Sequence, residues 1–320
     1  MNRSVVRIPA VIGLVLAFVA ATPELVAQNL LGCQEFAFST EEDFVTQGPV
    51  PPDGNPIISD GDLLGLSFTP KTHTVLCARN SFLLEPFDVT VDLGLDAVDI
   101  ISIEPTYIAF STELNSPRQG QFSAGDLLIT SGVVIPHNRL TYQFFAPSYG
   151  SDLGLDAVHF VGTVPDIIAF IINITINMPQ PEAFSSMLEE HQIDIWFSTE
   201  QNARPVYAPL FLDGDLLSAR FGTIVATNST LLPAEIPAGI PTRGADYGLD
   251  AASSSRDGKE TAILFSTEIV HLTGFTDGDV LLSGTPGIQF TNEELILTLE
   301  VRADFVGLDA LYGSAPEPGR

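Results

Sequence analysis

Gly307-Leu308-Asp309-Ala310 is the last of four copies of one tetrapeptide, and its place after the other repeat elements decides the fold. The earlier copies are Gly94–Ala97, Gly154–Ala157 and Gly248–Ala251. Three further phrases recur in step with it. Phe-Ser-Thr-Glu occurs at Phe38–Glu41, Phe110–Glu113, Phe197–Glu200 and Phe265–Glu268. Gly-Asp before two apolar residues occurs at Gly61–Leu64, Gly125–Leu128, Gly214–Leu217 and Gly278–Leu281. An Asn precedes the next apolar run at Asn80, Asn138, Asn228 and Asn292. Successive phenylalanines are 72, 87 and 68 residues apart, longer than the roughly 40–50 residues of common propeller repeats.

Each repeat offers four strand-like segments. In the second they are Leu95–Ile103, Tyr107–Thr112, Asp126–Thr130 and Leu140–Phe145, short, β-branched or aromatic, and separated by Gly, Pro, Asn and Ser. The first Phe-Ser-Thr-Glu strand has no Gly-Leu-Asp-Ala strand before it, and the missing copy comes last in the chain. Pairing of Leu308–Tyr312 with Glu35–Thr40 would complete the first sheet and remove its open edge. The fold class expected is therefore all-β, a four-bladed β-propeller with C-to-N strand closure. Tandem β-sandwich domains are the alternative, and an open solenoid is a third. The expected domain spans 28–313, with repeats near 34–93, 94–151, 152–247 and 248–313.

The long third repeat carries an insertion at 162–194. Within it, Pro181–Gln192 has Phe184, Met187, Leu188 and His191 at helical spacing. Ile168-Ala169-Phe170 echoes the Ile108-Ala109-Phe110 strand instead. As a departure from the repeat, the insertion is expected, with the loops, to carry partner binding, and removal of roughly Ile174–Gln192 is expected to leave the fold intact.

The chain has 320 residues, with 13 Lys+Arg against 40 Asp+Glu and a net charge of −27. That charge repels the phosphate backbone, so nucleic acid is excluded as a partner. With 45% apolar residues there is enough to bury a sizeable core. Arg3 and Arg7, the apolar run Ile8–Ala21 and the small residues after it have the layout of a signal peptide at 1–27. The run is shorter than the roughly 20 residues of a spanning helix, so no stable membrane span is expected in the mature chain. In an exported chain the two cysteines, Cys33 and Cys77, are expected to form a disulfide. Leu30-Leu31-Gly32-Cys33 also reads as a lipobox.

Pro316-Glu317-Pro318 near the C-terminus resembles the opening of a PEP-CTERM sorting signal, within a Pro-rich tail at 314–320. The resemblance implies a Gram-negative origin and handling by an exosortase at the cell envelope. The pairs Asp96-Ala97, Asp156-Ala157, Asp250-Ala251 and Asp309-Ala310 resemble the Asp-Ala strand openings of hemopexin-like propellers. That parallel implies first strands lining a central channel that holds ions.

Candidate chemistry is confined to repeated acids. Asp96, Asp156, Asp250 and Asp309 would converge on a propeller axis, where four carboxylates repel unless a cation or donors compensate. Oxygen ligands of this kind suit Ca²⁺. The same acids could instead accept backbone N–H groups or Ser/Thr hydroxyls and fix each sheet corner. A second set lies in turns: Asp60-Gly61-Asp62, Asp213-Gly214-Asp215 and Asp277-Gly278-Asp279, with Ala124-Gly125-Asp126 breaking the pattern. His73, His137, His159, His191 and His271 form no pair at metal-ligand spacing. No nucleophile elbow, phosphate loop or zinc-protease helix occurs, so no catalytic residue is assigned.

The reading that follows is an exported, surface- or matrix-associated, non-enzymatic repeat protein that binds or scaffolds. Its expected partner is a cell-surface polysaccharide or a protein. One alternative is a carbohydrate-active hydrolase using Glu182, Glu189, Glu190, His191 and Asp194 of the insertion. Another is an extracellular filament or array subunit.

Overall fold

The computed structural model describes residues 29–68, 72–148, 150–205, 208–233, 236, 238, 245–256, 262–271, 274–284, 287–299, 301 and 306–313. The expected signal peptide and the Pro-rich tail lie outside them. The fold is all-β, with four four-stranded antiparallel sheets. The first holds β1 (Phe36–Phe38), β4 (Leu63–Ser67), β5 (His73–Ala78) and β18 (Leu311–Gly313), in the order β18-β1-β4-β5. A ribbon of β2 (Phe44–Val45) and β3 (Ile57–Ile58) lies between β1 and β4 in sequence. The second sheet runs β6 (Ala97–Ile103), β7 (Thr106–Ser111), β8 (Leu127–Ile129) and β9 (Val133–Ile135). The third runs β10 (Val158–Val161), β11 (Asp194–Phe197), β12 (Leu216–Ser218) and β13 (Thr223–Ala226). The fourth runs β14 (Ala251–Ser253), β15 (Leu264–Ser266), β16 (Val280–Leu282) and β17 (Ile288–Phe290).

The C-terminal strand completes the first sheet. Phe36 faces Gly313, Ala37 faces Tyr312 and Phe38 faces Leu311. The first strands of the sheets are also neighbours: β6 lies beside β10 and β18, and β14 lies beside the same two.

Strand alternation explains how each sheet buries both faces. In the second strand of each sheet, the Phe of Phe-Ser-Thr-Glu and the residue before it point to opposite sides. Phe110 packs with the first sheet and Ala109 with the third. Phe197 packs with the second and Trp196 with the fourth. Phe265 packs with the third and Leu264 with the first. Phe38 packs with the fourth and Ala37 with the second. Four apolar clusters therefore fill four spaces between neighbouring sheets. Those four phenylalanines have no exposed surface, and burying such a ring contributes roughly 1.5–3 kcal/mol each.

Short helices follow the last strand of each repeat: α1 (Asn80–Leu84), α2 (His137–Leu140) with α3 (Tyr142–Phe145), α6 (Asn228–Leu231) and α7 (Asn292–Ile296). Leu140–Phe145, expected as a strand, is thus helical, and the outer strand of its repeat is β9. Asp126 accepts the His137 N–H at 2.8 Å, which fixes the chain as it turns into α2. Leu140 and Phe144 then fall on one buried face at helical spacing.

The insertion is a helical hairpin of α4 (Val164–Ile176) and α5 (Pro181–Glu190) between β10 and β11. The α5 helix matches the sequence expectation. The Ile168-Ala169-Phe170 echo does not make a strand. Thr163 caps the helix by accepting the Asp166 N–H, and Pro165 sits in its first turn, where its missing donor costs nothing. Ile167, Phe170, Ile171, Ile174, Phe184 and Leu188 share one buried cluster with Leu140, Phe144 and Ile129. The hairpin is therefore part of the core between the second and third sheets, and the segment 174–192, expected to be removable, contributes Ile174, Phe184 and Leu188 to it.

Cys33 and Cys77 form a disulfide that ties the turn Leu30–Cys33 to β5. The Cys33 sulfur that a lipid thioether would need is engaged in that bond, so the lipobox reading falls.

Candidate metal centre

The Gly-Leu-Asp-Ala copies lie at the starts of the first strands, and each residue has a separate task. The glycines have φ of +72° at Gly94, +76° at Gly154, +68° at Gly248 and +66° at Gly307, a region that side chains disfavour. A Cβ at these positions would also clash with the carboxyl groups of Glu113, Glu200, Glu268 and Glu41, respectively. Each Phe-Ser-Thr-Glu glutamate thus rests on the glycine of its own sheet. The leucines are buried, and their carbonyls accept hydroxyls from the preceding sheet. Ser39 donates to Leu95, Ser111 to Leu155 and Ser198 to Leu249, at 2.9, 2.8 and 3.0 Å. The fourth copy departs: Ser266 Oγ is buried without a partner. The threonines Thr40, Thr112, Thr199 and Thr267 each donate to the carbonyl two residues on.

This stitching delivers eight carboxylates to one region. Atoms of Asp96, Asp156 and Glu200 lie within 4.8 Å of one another, as do atoms of Glu41, Asp250 and Asp309. These triads hold all four aspartates singled out in the sequence. Glu41 and Glu200 are additions to the aspartates expected from the sequence, and the fourfold recurrence of this glutamate is the sequence signal for them. Oδ2 of Asp96, Asp156 and Asp250 is buried without a hydrogen-bond partner, so the corner-fixing role considered for these acids leaves an oxygen of each unused.

Burial is the main force on the cluster's protonation, and the neighbouring charges that raise it further are other carboxylates. Asp96, Asp156 and Asp250 are pushed well above the usual carboxylate range. Asp309 rises to about 9, through burial and then Glu113 and Asp96. Glu113 and Glu268 rise to about 7, through burial and then Asp60 and Asp213, respectively. Glu41 and Glu200 are also raised by burial. Such groups must either hold protons or meet a cation.

The turn acids divide into two kinds. Asp62, Asp126, Asp215 and Asp279 are structural. Each accepts one N–H from its own turn and another from the start of the following short helix. The Asn of the repeat then bridges sheets. Asn80 donates to Gly61 O and Gly94 O, and Asn292 to Gly278 O and Gly307 O. In the second repeat this place belongs to His137, beside Gly125 O at 3.1 Å, and not to Asn138. The other turn acids lie near the carboxylate cluster. Asp60 is raised to about 6 by burial and then Asp92, and Asp277 is raised by burial.

A different constellation occupies the same first strands three residues further on. There the four repeats carry Asp99, His159, Ser253 and Tyr312. Arg256 grips Asp99 with two nitrogens and donates to the carbonyls of Phe160 and Ile100. Its guanidinium also lies 5.9 Å from the Tyr312 ring centre. Ser253 Oγ donates to Gly313 O. His159 Nδ1 is 3.8 Å from Asp99, and burial holds this ring's pKa down at about 4. These four positions differ from repeat to repeat, so recurrence in the sequence carries no signal for them.

The remaining residues do not gather. His191 contacts Asn173 and the Phe170 ring, and His271 lies between Tyr247 and Phe275. Asp194 is buried, accepting from Ser218 Oγ and from the Ile195 and Arg220 N–H groups. Glu189 faces Arg220 at 3.7 Å, and Glu182 and Glu190 are exposed. No helix among the described residues is long and apolar enough to cross a membrane. Comparisons with protein-family models, curated proteins and solved structures find no match.

Proposed function

We propose that the four sheets are the blades of a four-bladed β-propeller, and that this protein is an exported, non-enzymatic scaffold with calcium bound on the propeller axis. The C-terminal strand added to the first sheet and the four inter-sheet cores support the propeller. The signal-peptide layout at 1–27 supports export, where calcium is plentiful. The observation that carries the cation is the convergence of carboxylates from all four sheets with buried, unpartnered oxygens. An ion there joins every blade to the others, and its charge offsets repulsion that otherwise opposes closure. The partner on the outer surface is proposed to be a cell-surface polysaccharide or protein. The dispersal of the insertion's acids favours this scaffold over the hydrolase.

Thermal unfolding of chelator-treated protein, with and without added Ca²⁺, tests the reading. Ligand at a thousand times its dissociation constant stabilises by about 4 kcal/mol, a rise of roughly 8–16 °C for a domain of this size. Equal melting temperatures with and without Ca²⁺ would remove the cation from the proposal.

A further inference from the structure

Four equivalent repeats lead one to expect a fourfold ring with one ion at its centre. The carboxylates are not arranged that way. One triad takes Asp96 from the second sheet with Asp156 and Glu200 from the third. The other takes Asp250 from the fourth sheet with Asp309 and Glu41 from the first. Each is the aspartate of one sheet plus the aspartate and glutamate of the next. The arrangement is twofold, and it leaves out Glu113 and Glu268, the glutamates of the second and fourth sheets.

We propose that the axis binds two calcium ions, one in each triad, with Glu113 and Glu268 outside both. This rests on the cation reading above and adds its number and its ligands. Two oxygens on one Ca²⁺, each at about 2.4 Å, are at most about 4.8 Å apart, and the three atoms of each triad meet that limit. An independent feature points to a ligand: Asp156 is only 4% exposed, and its Oδ2 has no partner within the protein. Asp96 Oδ2 in the same triad and Asp250 Oδ2 in the other are buried and unpartnered too. Three carboxylates around each divalent ion leave a residual charge of about one per site, which backbone and water oxygens tolerate. Calcium suits the sites better than Mg²⁺, which demands a near-ideal octahedron and keeps several waters, for which the enclosure of Asp156 leaves little room.

Native mass spectrometry and calorimetry with Ca²⁺ on the full mature chain read the number directly. Two ions per chain are expected for the unaltered protein. Glu200→Gln and Glu41→Gln should each leave one ion and weaken the other site by at least tenfold. Glu113→Gln and Glu268→Gln should retain both. One ion per chain, or equal losses from Glu113→Gln and Glu200→Gln, overturns the two-site arrangement while leaving the cation reading intact. No bound Ca²⁺ at all overturns both. The count on the unaltered chain decides the matter even if a variant fails to fold.

Discussion

Arg256 and Asp99 are 157 residues apart in sequence and meet through two hydrogen bonds, at 2.7 and 3.0 Å. Asp99 comes from β6, and Arg256 follows β14, the two first strands that share β10 and β18 as neighbours. The guanidinium therefore spans the second and fourth sheets, and through Phe160 O it reaches the third. Asp99 is almost wholly buried, so losing its partner would leave an uncompensated charge. Removing one member of a buried pair typically costs about 3–5 kcal/mol. Arg256→Met is expected to lose stability in that range by urea unfolding. The double change with Asp99→Leu should recover much of it, because the stranded charge goes too. A double variant as unstable as the single one would show that the arginine acts through packing alone.

Removal of Arg256 should also change His159. Its pKa is depressed to about 4 by burial first, and Arg256 adds to the depression while Asp99 opposes it. With the arginine gone, Asp99 is free to favour the imidazolium. In the folded fraction of Arg256→Met, NMR titration should find the His159 pKa raised by at least one unit. An unchanged value would mean that desolvation alone governs the ring.

Acid should stabilise the cation-free protein, contrary to the usual behaviour of carboxylates. The sign follows from linkage. Glu113 and Glu268 titrate near 4.5 when unfolded and near 7 when folded, and Asp309 moves from 3.8 to about 9. Between those limits the native state holds more protons than the unfolded one, so stability falls as pH rises. With chelator, the melting temperature is expected to peak near pH 5 and to decline through pH 7 towards pH 9. Saturating Ca²⁺ should flatten that decline. A chelated protein that grows more stable from pH 5 to 8 would contradict the buried, crowded state of these acids.

The fold was most legible where the repeats agree, and of the departures only the amphipathic α5 helix showed its own period. Gly-Leu-Asp-Ala and Phe-Ser-Thr-Glu mark the first two strands of each sheet because their residues meet the same local and inter-sheet requirements in nearly every copy. The outer strand of the second repeat was misplaced because Leu140, Phe144 and Phe145 fit a strand by composition. The side chain that fixes the helical turn there, Asp126, lies outside that window. The α4 helix was hidden for a related reason: its run of isoleucines has strand propensity, and burial of a helix face overrides it. The aspartates of the candidate site were legible from recurrence alone, whereas their twofold grouping depends on the geometry of eight side chains.

Reduction should expose how much the first sheet depends on its covalent tie. Cys33 and Cys77 are 44 residues apart, and closing such a loop restricts the unfolded chain by about 4 kcal/mol in the entropic picture. The Cys33→Ser, Cys77→Ser double variant is expected to lose roughly 2–4 kcal/mol in denaturant unfolding, with no change in affinity for the proposed calcium. Weaker binding of the proposed calcium at temperatures where the variant remains folded would show instead that the disulfide shapes the carboxylate cluster.

The closing strand yields the most direct test of the architecture. Residues 308–313 supply the β18 partner for Phe36–Phe38 and the acid Asp309, and Gly313 also exchanges hydrogen bonds with Ser253 of the fourth sheet. A chain ending at residue 305 would leave β1 as an open edge with unpaired backbone groups. It would also lose the triad of Glu41, Asp250 and Asp309. Such a chain is expected to lose cooperative thermal unfolding and to aggregate. A synthetic peptide of residues 306–313 should restore it in trans, because strand addition to a sheet edge supplies its affinity through main-chain hydrogen bonds. The same peptide with Asp309→Asn should restore the fold but not the second calcium. Full stability in the shortened chain without peptide would mean that the four sheets hold together without their closing strand.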